Sequence, residues 1–357
     1  MKTNASAKRM PLLSREAKDR TITYAMLAVI FAAVQLYVSS GKAGRSFTGL
    51  LVPTCVYILA AMSLNLVVGV SGELSLGAAG FMCLGAFTGS VFSILTKDVI
   101  TATFVRFPLA ILLGGVVAAV FGFLIGIPVL RLRGDYLAIV TLAFGEIIKS
   151  IFTNLYIGLD SRGYHIRFLQ APENLEEGGK LILGGPMGIG GVQKIATFTG
   201  GFILVMLCLI VIFHLVNSRT GRAILAIRDN RIAAESVGIP VTRYKMTAFV
   251  ISASMAGAAG ALFALNYPTI AANKFDFNAS ILILVFVVFG GLGNMLGSVI
   301  AAALLTALPE ALRSFADYRM LIYAIVLILV MLATNNDDFK ALLRRVIPGR
   351  KEEREDV

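Results

Sequence analysis

Long apolar runs separated by short polar segments dominate the pattern of this chain. A bilayer core about 30 Å thick requires roughly 20 apolar residues for one crossing helix, and runs near this length recur throughout the sequence. We therefore predict an all-α polytopic membrane bundle, because lipid cannot satisfy the edges of an open sheet. Ten spans are predicted, at residues 22–38, 48–70, 74–95, 107–129, 136–157, 198–217, 247–267, 275–289, 295–315 and 318–334.

The glycine-rich stretch 290–294 leaves the number of spans open. Gly and Asn supply the positive φ angles of a tight turn, which would separate the eighth span from the ninth. The same residues could instead form an unwound kink inside one longer helix. That alternative gives nine spans.

Loop charges indicate the orientation of the spans. Loops rich in Lys and Arg stay in the cytoplasm, and such residues concentrate in segments 1–21 and 218–246. Arg131 and Arg133 assign the 130–135 loop to the same side, whereas segment 158–197 is balanced in charge and is predicted to lie outside. Ten spans then separate a cytoplasmic N-terminal segment, 1–21, from a cytoplasmic tail, 335–357, and leave 22–334 as the transmembrane domain. Nine spans would break this parity.

Composition supports a membrane protein and argues against a soluble protein, a nucleic-acid-binding protein and a metal-binding protein. The chain is 57% hydrophobic and 15% charged, against about a quarter charged in soluble proteins. The net charge of +11 comes from loop residues, so we expect no nucleic-acid partner. Cys55, Cys83 and Cys208 lie inside apolar runs and should be buried without disulfides. His165 and His214 are far apart and lack ligand spacing, so we expect no metal.

Motifs for catalysis do not occur in the chain. It has no Ser/His/Asp set, no HExxH and no GxxxxGK[ST]. We expect no catalytic residues and no cofactor bound by this chain.

Small residues recur every fourth position in several spans, which favours close helix packing. The stripes are Gly114, Ala118, Gly122 and Gly126 in the fourth span, Ala253, Gly257 and Ala261 in the seventh with Ala256, Gly260 and Ala264 beside them, and Gly293, Gly297 and Ala301 in the ninth.

Residues 67–77 resemble residues 287–297 in sequence, and both stretches are interrupted by glycine. Paired interrupted segments in two halves of a membrane protein point to a transport pathway, although chance similarity of glycine-rich helices is the alternative. On the pathway interpretation the candidate residues are Gly72, Glu73, Gly291 and Asn294.

Glu146 lies near the middle of the fifth span, and Lys149 follows three residues later on the same helical face. Intramembrane charges are candidates for function. Two hypotheses remain: a self-neutralising pair that stabilises the bundle, or a carboxylate that lines a pathway or gate.

The segment 221–237 is predicted to be one short amphipathic helix, with Thr220 as N-cap, Gly238 as the C′ residue and Pro240 just beyond.

At about 100° per residue, Arg228, Arg231 and Glu235 share an arc of roughly 60°, with Ile224 and Ile227 on or beside it. A face that mixes charge and apolar bulk suits a protein partner. The alternative is an ordinary basic loop.

Several blocks closely resemble the M-type permeases of bacterial ABC importers for leucine, isoleucine and valine. Residues 128–142 read PVLRLRGDYLAIVTL and continue as AFGEI, and similarity extends over residues 55–333. Further matching blocks are 221–238, 245–249, the late glycines 290–293, and GGPMGI at 184–189, where Met187 replaces the family's Asn.

The resemblance implies ATP-driven import by alternating access across the bacterial inner membrane. It implies a second related permease, two ATPase subunits that bind ATP and Mg, and a periplasmic binding protein. It also implies that 221–238 is the coupling helix that docks on an ATPase, through Arg222, Arg228, Arg231, Glu235 and Gly238. Close relatives import urea, short amides or other amino acids. A less favoured rival is an ion-coupled secondary transporter, which needs buried carboxylates in its pathway.

Overall fold

A computed structural model describes residues 13–41, 44–97, 99–131, 135–160, 163–169 and 180–312, together with residues 325 and 328. Over these ranges the α-helices are α1 Leu13–Ser39, α2 Arg45–Asn65, α3 Ala78–Leu95, α4 Thr103–Val129, α5 Asp135–Asn154, α6 Phe198–Asn217, α7 Arg219–Asp229, α8 Arg231–Ser236, α9 Val241–Ala264, α10 Phe277–Gly290 and α11 Met295–Ala311. The strands are β1 Leu155–Asp160, β2 Gly163–Phe168, β3 Lys180–Gly184, β4 Ile189–Gly190 and β5 Thr269–Ile270.

The predicted helical membrane bundle is confirmed. Within the described ranges, seven helical segments are long and apolar enough to cross a membrane, and two shorter apolar helices, Tyr24–Ser39 and Met295–Glu310, accompany them. These nine match the first nine predicted spans. The tenth, 318–334, lies outside the described residues apart from two isolated positions.

The stretch between Gly290 and Met295 is a tight turn and not a kink within one helix. Helix α10 ends at Gly290 and α11 begins at Met295, with φ angles of 89° at Gly291 and 83° at Gly293. Such angles suit glycine because it has no Cβ. The Asn294 side chain then caps α11 by accepting a hydrogen bond from the Gly297 amide at 3.2 Å.

Three predicted span boundaries were wrong for identifiable reasons. The third span begins at Ala78 instead of residue 74, because residues 71–77, which follow the π-helical turn Leu66–Val70, are not helical. The fifth ends at Asn154, since the following residues join β1. The seventh begins six residues early, at Val241, directly after Pro240.

An antiparallel sheet of order β2-β1-β3-β4-β5 forms in segments that were predicted to be loops, apart from residues 155–157 of β1, which were assigned to the fifth span. Its strands lie in the connections that follow α5 and α9, so they gather at one end of the bundle, here called the sheet end. The opposite end, called the helical end, carries α7, α8 and the turn between α10 and α11. The sheet does not conflict with the exclusion of open sheets from lipid, because it lies between spans.

Close approach of α3, α4 and α9 forms the centre of the bundle. A methyl group at Gly85 would overlap the Gly257 carbonyl, and one at Gly257 would overlap the Ala118 side chain. Gly260 likewise lies against the backbone of Met82. The predicted stripes of the fourth and seventh spans are therefore packing faces that contact each other and α3. Cys55, Cys83 and Cys208 are buried, as predicted, and carry free thiols.

We expect Gly85→Ala to destabilise the bundle. Overfilling a close-packed interior costs typically about 1–3 kcal/mol, and the nearest obstacle here is backbone that cannot rotate away. Thermal unfolding in detergent should give a clearly lower Tm than for the parent. Gly145→Ala on α5 is the matched control, because its methyl group would find only ordinary contacts, at 3.7 Å from the Gly80 amide nitrogen. Equal Tm values for the two variants would contradict this account of the packing.

Candidate functional site

The segment predicted as one amphipathic helix is two helices, α7 and α8, which meet at Asn230. This residue has extended backbone angles, φ −152° and ψ 103°, and its side chain caps α8 by accepting from the Ala233 amide at 3.0 Å. Ser218, rather than Thr220, is the N-cap of α7, where it accepts from the Gly221 amide at 3.1 Å. A side chain that bonds to nearby backbone amides competes with the hydrogen bonds of a continuous helix. The helix is therefore interrupted at Asn230, whose side chain can cap a new helix.

Gly238 occupies the C′ position, as predicted. Its φ is 84°, and its amide bonds to the Glu235 carbonyl at 3.0 Å, while the Ile239 amide bonds to the Ala234 carbonyl at 3.1 Å. These two bonds form a Schellman motif, which ends α8 and turns the chain toward α9.

The exposed face of this region differs from the predicted one in its apolar members. Ile224 and Ile227 are buried beneath α7, and the break at Asn230 removes them from the face that carries Arg231. Ile232 and Val237 are instead 80% and 75% exposed. Beside them Arg231 pairs with Glu235 at 2.9 Å, and Arg222 is exposed on α7. We call Arg222, Arg231, Ile232, Glu235 and Val237 the exposed α7–α8 surface.

Arg228 points partly into the protein. Its Nη1 donates to the Gly69 carbonyl in the π-helical turn at 3.0 Å, and its aliphatic stem covers Gly72 so closely that a methyl group there would meet Cγ at 2.7 Å. It also pairs with its neighbour Asp229 at 3.2 Å. Helix α7 is thereby joined to the end of α2.

Asn65 joins the same π-helical turn to the turn between α10 and α11. This fully buried side chain donates to the Asn294 carbonyl at 3.1 Å and to Ser298 Oγ at 2.8 Å, and it accepts from the Gly293 amide at 2.8 Å. Close by, the two glycine-interrupted stretches with similar sequences contact each other directly, because a methyl group on Gly69 would overlap the Gly293 amide nitrogen. Arg228, Gly69, Asn65, Gly293 and Asn294 form one connected cluster, here called the inner cluster.

Glu73 forms an ion pair with Lys245 of α9. The two side chains are only 14% and 10% exposed, respectively, so each compensates the charge of the other. In the same non-helical segment the Leu76 amide donates to Thr141 Oγ1 of α5 at 3.0 Å. Residues 71–77 therefore contact both α9 and α5.

Glu146 pairs with Lys149 one turn later on α5, as predicted. Glu146 is 40% exposed and Lys149 24% exposed, although the pair lies in the middle of an apolar span. Both hypotheses for the pair remain compatible with this geometry.

Comparison with known families now adds to this geometry. The family described as "Branched-chain amino acid transport system / permease component" matches residues 46–331, most of the chain. The chain belongs to this permease family.

Individual relatives agree with this family assignment. The chain is 35% identical over 336 residues to the Salmonella typhimurium protein named high-affinity branched-chain amino acid transport system permease protein LivM, and the match covers 90% of this chain and 76% of that protein. It is 37% identical over 292 residues to the protein of the same name from Escherichia coli, covering 78% and 66%. A nucleoside ABC transporter permease, NupC of Lactococcus lactis, is 24% identical over 235 residues, covering 64% and 71%. No solved structure matches the permease.

Sequence reasoning missed two buried polar residues of the permease. Asn65 sits inside an apolar run, and a lone amide there is a signal that it has a partner elsewhere. Arg106 of α4 is 2% exposed and donates through Nη2 to Gln193, while its Nε finds no partner in the described part of the chain. The structure places Gly72, Gly291 and Asn294 in or beside the inner cluster, whereas Glu146 belongs to α5.

We expect Lys245→Met to destabilise the permease strongly. Removing one partner of a buried ion pair costs about 3–5 kcal/mol, because the other charge is left uncompensated. Adding Glu73→Gln should restore most of the loss in Tm, measured on the purified protein in detergent. If the double variant were as unstable as Lys245→Met alone, the two residues would do more than neutralise each other's charge, and Glu73 would have another role.

Proposed function

We propose that this chain is a membrane-spanning permease subunit of an ATP-driven importer that moves branched-chain amino acids into the cytoplasm. The observation that carries the proposal is the family match over residues 46–331, together with identities of 35–37% to proteins named branched-chain amino acid permeases. The buried glycine-packed bundle suits a transporter, since its helices form a polytopic assembly instead of a single anchor.

Leucine, isoleucine and valine are the proposed substrates. The nucleoside permease among the relatives shares the fold family at lower identity, so the substrate is a finer proposal than the machinery. Other amino acids, urea and short amides are the alternatives.

The proposed partners are a second related permease, two ATPase subunits and a periplasmic binding protein. ATP and Mg bind to the ATPases, so this chain has no catalytic role in ATP hydrolysis. On this view the bacterial inner membrane holds the complex, with both termini of the chain in the cytoplasm. The charge-rich helical end then faces the cytoplasm, in agreement with the positive-inside rule, and the sheet end faces the periplasm.

We assign the docking of an ATPase to the exposed α7–α8 surface. It combines two exposed apolar side chains, Ile232 and Val237, with an adjacent ion pair. Apolar anchors rimmed by charge are typical of protein interfaces, whereas a helix lying on lipid would separate the two kinds of side chain. Gly238 contributes by holding the end of α8 in place.

The inner cluster provides a route from this surface into the bundle. Movement of α7 would act on the π-helical turn through Arg228, and on the turn between α10 and α11 through Asn65. π-Helical turns are rare and are frequently found at functional sites. Gly72, Gly291 and Asn294 then belong to the route that transmits this movement, and Glu73 attaches the route to α9 through its ion pair with Lys245.

An ion-coupled secondary transporter is the second candidate. It would transport alone and would need a carboxylate free to exchange ions, while Glu73 and Glu146 are each paired with a lysine. Uptake of labelled leucine into vesicles decides between the two. We expect uptake only with the ATPase subunits and ATP present, and uptake by the isolated chain driven by an ion gradient would overturn the proposal.

We expect Ile232→Glu to abolish docking while leaving the permease folded. Altering a hot-spot residue at the centre of an interface costs about 2 kcal/mol or more, which is roughly a thirtyfold loss of affinity. Co-purification of the ATPase subunits should fall, while membrane insertion and Tm stay unchanged. Val99→Glu, at an 83% exposed position at the sheet end, is the matched control and should bind the ATPases normally. Normal co-purification with Ile232→Glu would contradict the assigned surface.

We expect Arg228→Met to uncouple transport from hydrolysis. Methionine keeps an aliphatic stem over Gly72 but removes the guanidinium bond to the Gly69 carbonyl, and a bond from a charged donor is worth about 1.5–3 kcal/mol. Leucine imported per ATP hydrolysed should fall roughly tenfold or more, with ATPase binding retained. Arg243→Met, an exposed arginine at the start of α9, serves as control. Loss of ATPase binding by Arg228→Met would instead make Arg228 part of the docking surface.

A further inference from the structure

Helix α5 carries a polar stripe along its sheet-end half. Glu146, Lys149, Ser150, Thr153 and Asn154 fall within about 140° of one another at about 100° per residue. None of the five is buried. The opposite side of the helix packs on α3, where Gly145 contacts Gly80 and Phe152 stacks on Phe87 with ring centroids 4.3 Å apart. The polar stripe therefore faces away from the centre of this chain, with Lys149 at the edge of the stripe that lies nearest α3.

Lipid is an unsuitable neighbour for this stripe. Glu146 lies ten residues beyond Tyr136, about 15 Å along the helix, and a charged side chain at the centre of a spanning helix costs roughly 2.5–3.5 kcal/mol. Such residues face a bundle interior or a water-filled cavity. Since the stripe does not face the interior of this chain, it faces water or another protein chain.

The ion pair has unused capacity to bind. An ammonium group has three donor hydrogens and an ionised carboxylate has about four acceptor positions, and the pair consumes one of each. Thr153 and Asn154 are satisfied by carbonyls of their own helix, those of Lys149 and Ser150, both at 2.8 Å. The two charged groups are therefore the members of the stripe that retain most binding capacity.

A free α-amino acid offers the complementary pair of charges on one carbon atom. Its carboxylate matches Lys149 and its ammonium matches Glu146, so its arrival exchanges one ion pair for two and leaves no charge uncompensated. The exposed aliphatic residues Ile147 and Ile151, at 57% and 39% exposure, adjoin the stripe and would contact a branched aliphatic side chain. A neutral amide also offers one acceptor and one donor, but it brings no charge to compensate either group, so its bonds to the pair would be weaker than those of a zwitterion.

We propose that this half of α5 lines the translocation path, where Glu146 and Lys149 bind the zwitterionic backbone of the amino acid in transit. The inference rests on the proposed import function and adds the binding site to it. The competing arrangement is a purely structural one, in which a helix of the second permease covers the stripe.

Thiol labelling in the assembled transporter tests whether the stripe meets water. All three native cysteines are buried, so a membrane-impermeant methanethiosulfonate should report on an introduced thiol. We expect Ser150→Cys to react and leucine to slow the reaction, while Ile148→Cys on the buried face stays unreactive. A Ser150→Cys thiol that reacts in the chain alone but not in the assembled transporter would overturn the proposal in favour of a covering helix.

Uptake kinetics test the recognition of the zwitterion. The double variant Glu146→Gln with Lys149→Gln leaves no stranded charge, so assembly should be normal, but the KM for leucine should rise at least about tenfold through the loss of charge-assisted bonds. A structural pair predicts that the single variants fail to assemble and that the double variant regains the parent KM, which would overturn the proposal. A parent transporter that does not import leucine would refute the import function itself, while the labelling result would still decide whether α5 lines an aqueous path.

Discussion

In the core of a bilayer a polar group must find its partner within the protein, because no water is available to replace one. The described part of this chain meets that constraint through long-range contacts. Asn65 uses its whole amide on the turn between α10 and α11 and on Ser298 of α11, and Glu73 is compensated by Lys245. Each of these contacts joins helices that are far apart in sequence. Asn65, Glu73 and Lys245 thus hold separate helices in fixed positions, whereas the pair of Glu146 and Lys149 lies within α5.

Helix packing divides the bundle into a rigid centre and a more loosely held periphery. Contacts between glycine backbones, such as Gly85 with Gly257, leave α3, α4 and α9 little room to slide, because a close-packed interior resists displacement. Helix α5 meets this centre mainly along one face, and the turn between α10 and α11 is attached to α2 through the Asn65 amide. Conformational change in transport is therefore expected at these attachments, with the centre moving as one body.

How much the sequence could predict depended on the range of the interaction. Spans and packing stripes are local patterns of hydrophobicity and residue size, and they were predicted well. The break at Asn230 was missed because helix periodicity continues across it, although an Asn that can cap a new helix was the available signal. The five-stranded sheet was missed because its strands are short, and because the pairing of β4 with β5 joins Ile189 to Ile270, far apart in the sequence. Asn65 was overlooked for a similar reason, since its partners lie more than 200 positions later.

The short segment 71–77 connects the two ends of the proposed mechanism. Through Gly72 it contacts Arg228 of α7, through Glu73 it is paired with α9, and through Leu76 it is bonded to Thr141 of α5. Helix α9 belongs to the rigid centre, so the ion pair at Glu73 acts as a fixed point. A displacement of α7 would then rotate the segment about that point and reach α5, the helix that carries the polar stripe. Because a non-helical segment can change its backbone angles without breaking helical hydrogen bonds, it can transmit such a movement at low energetic cost.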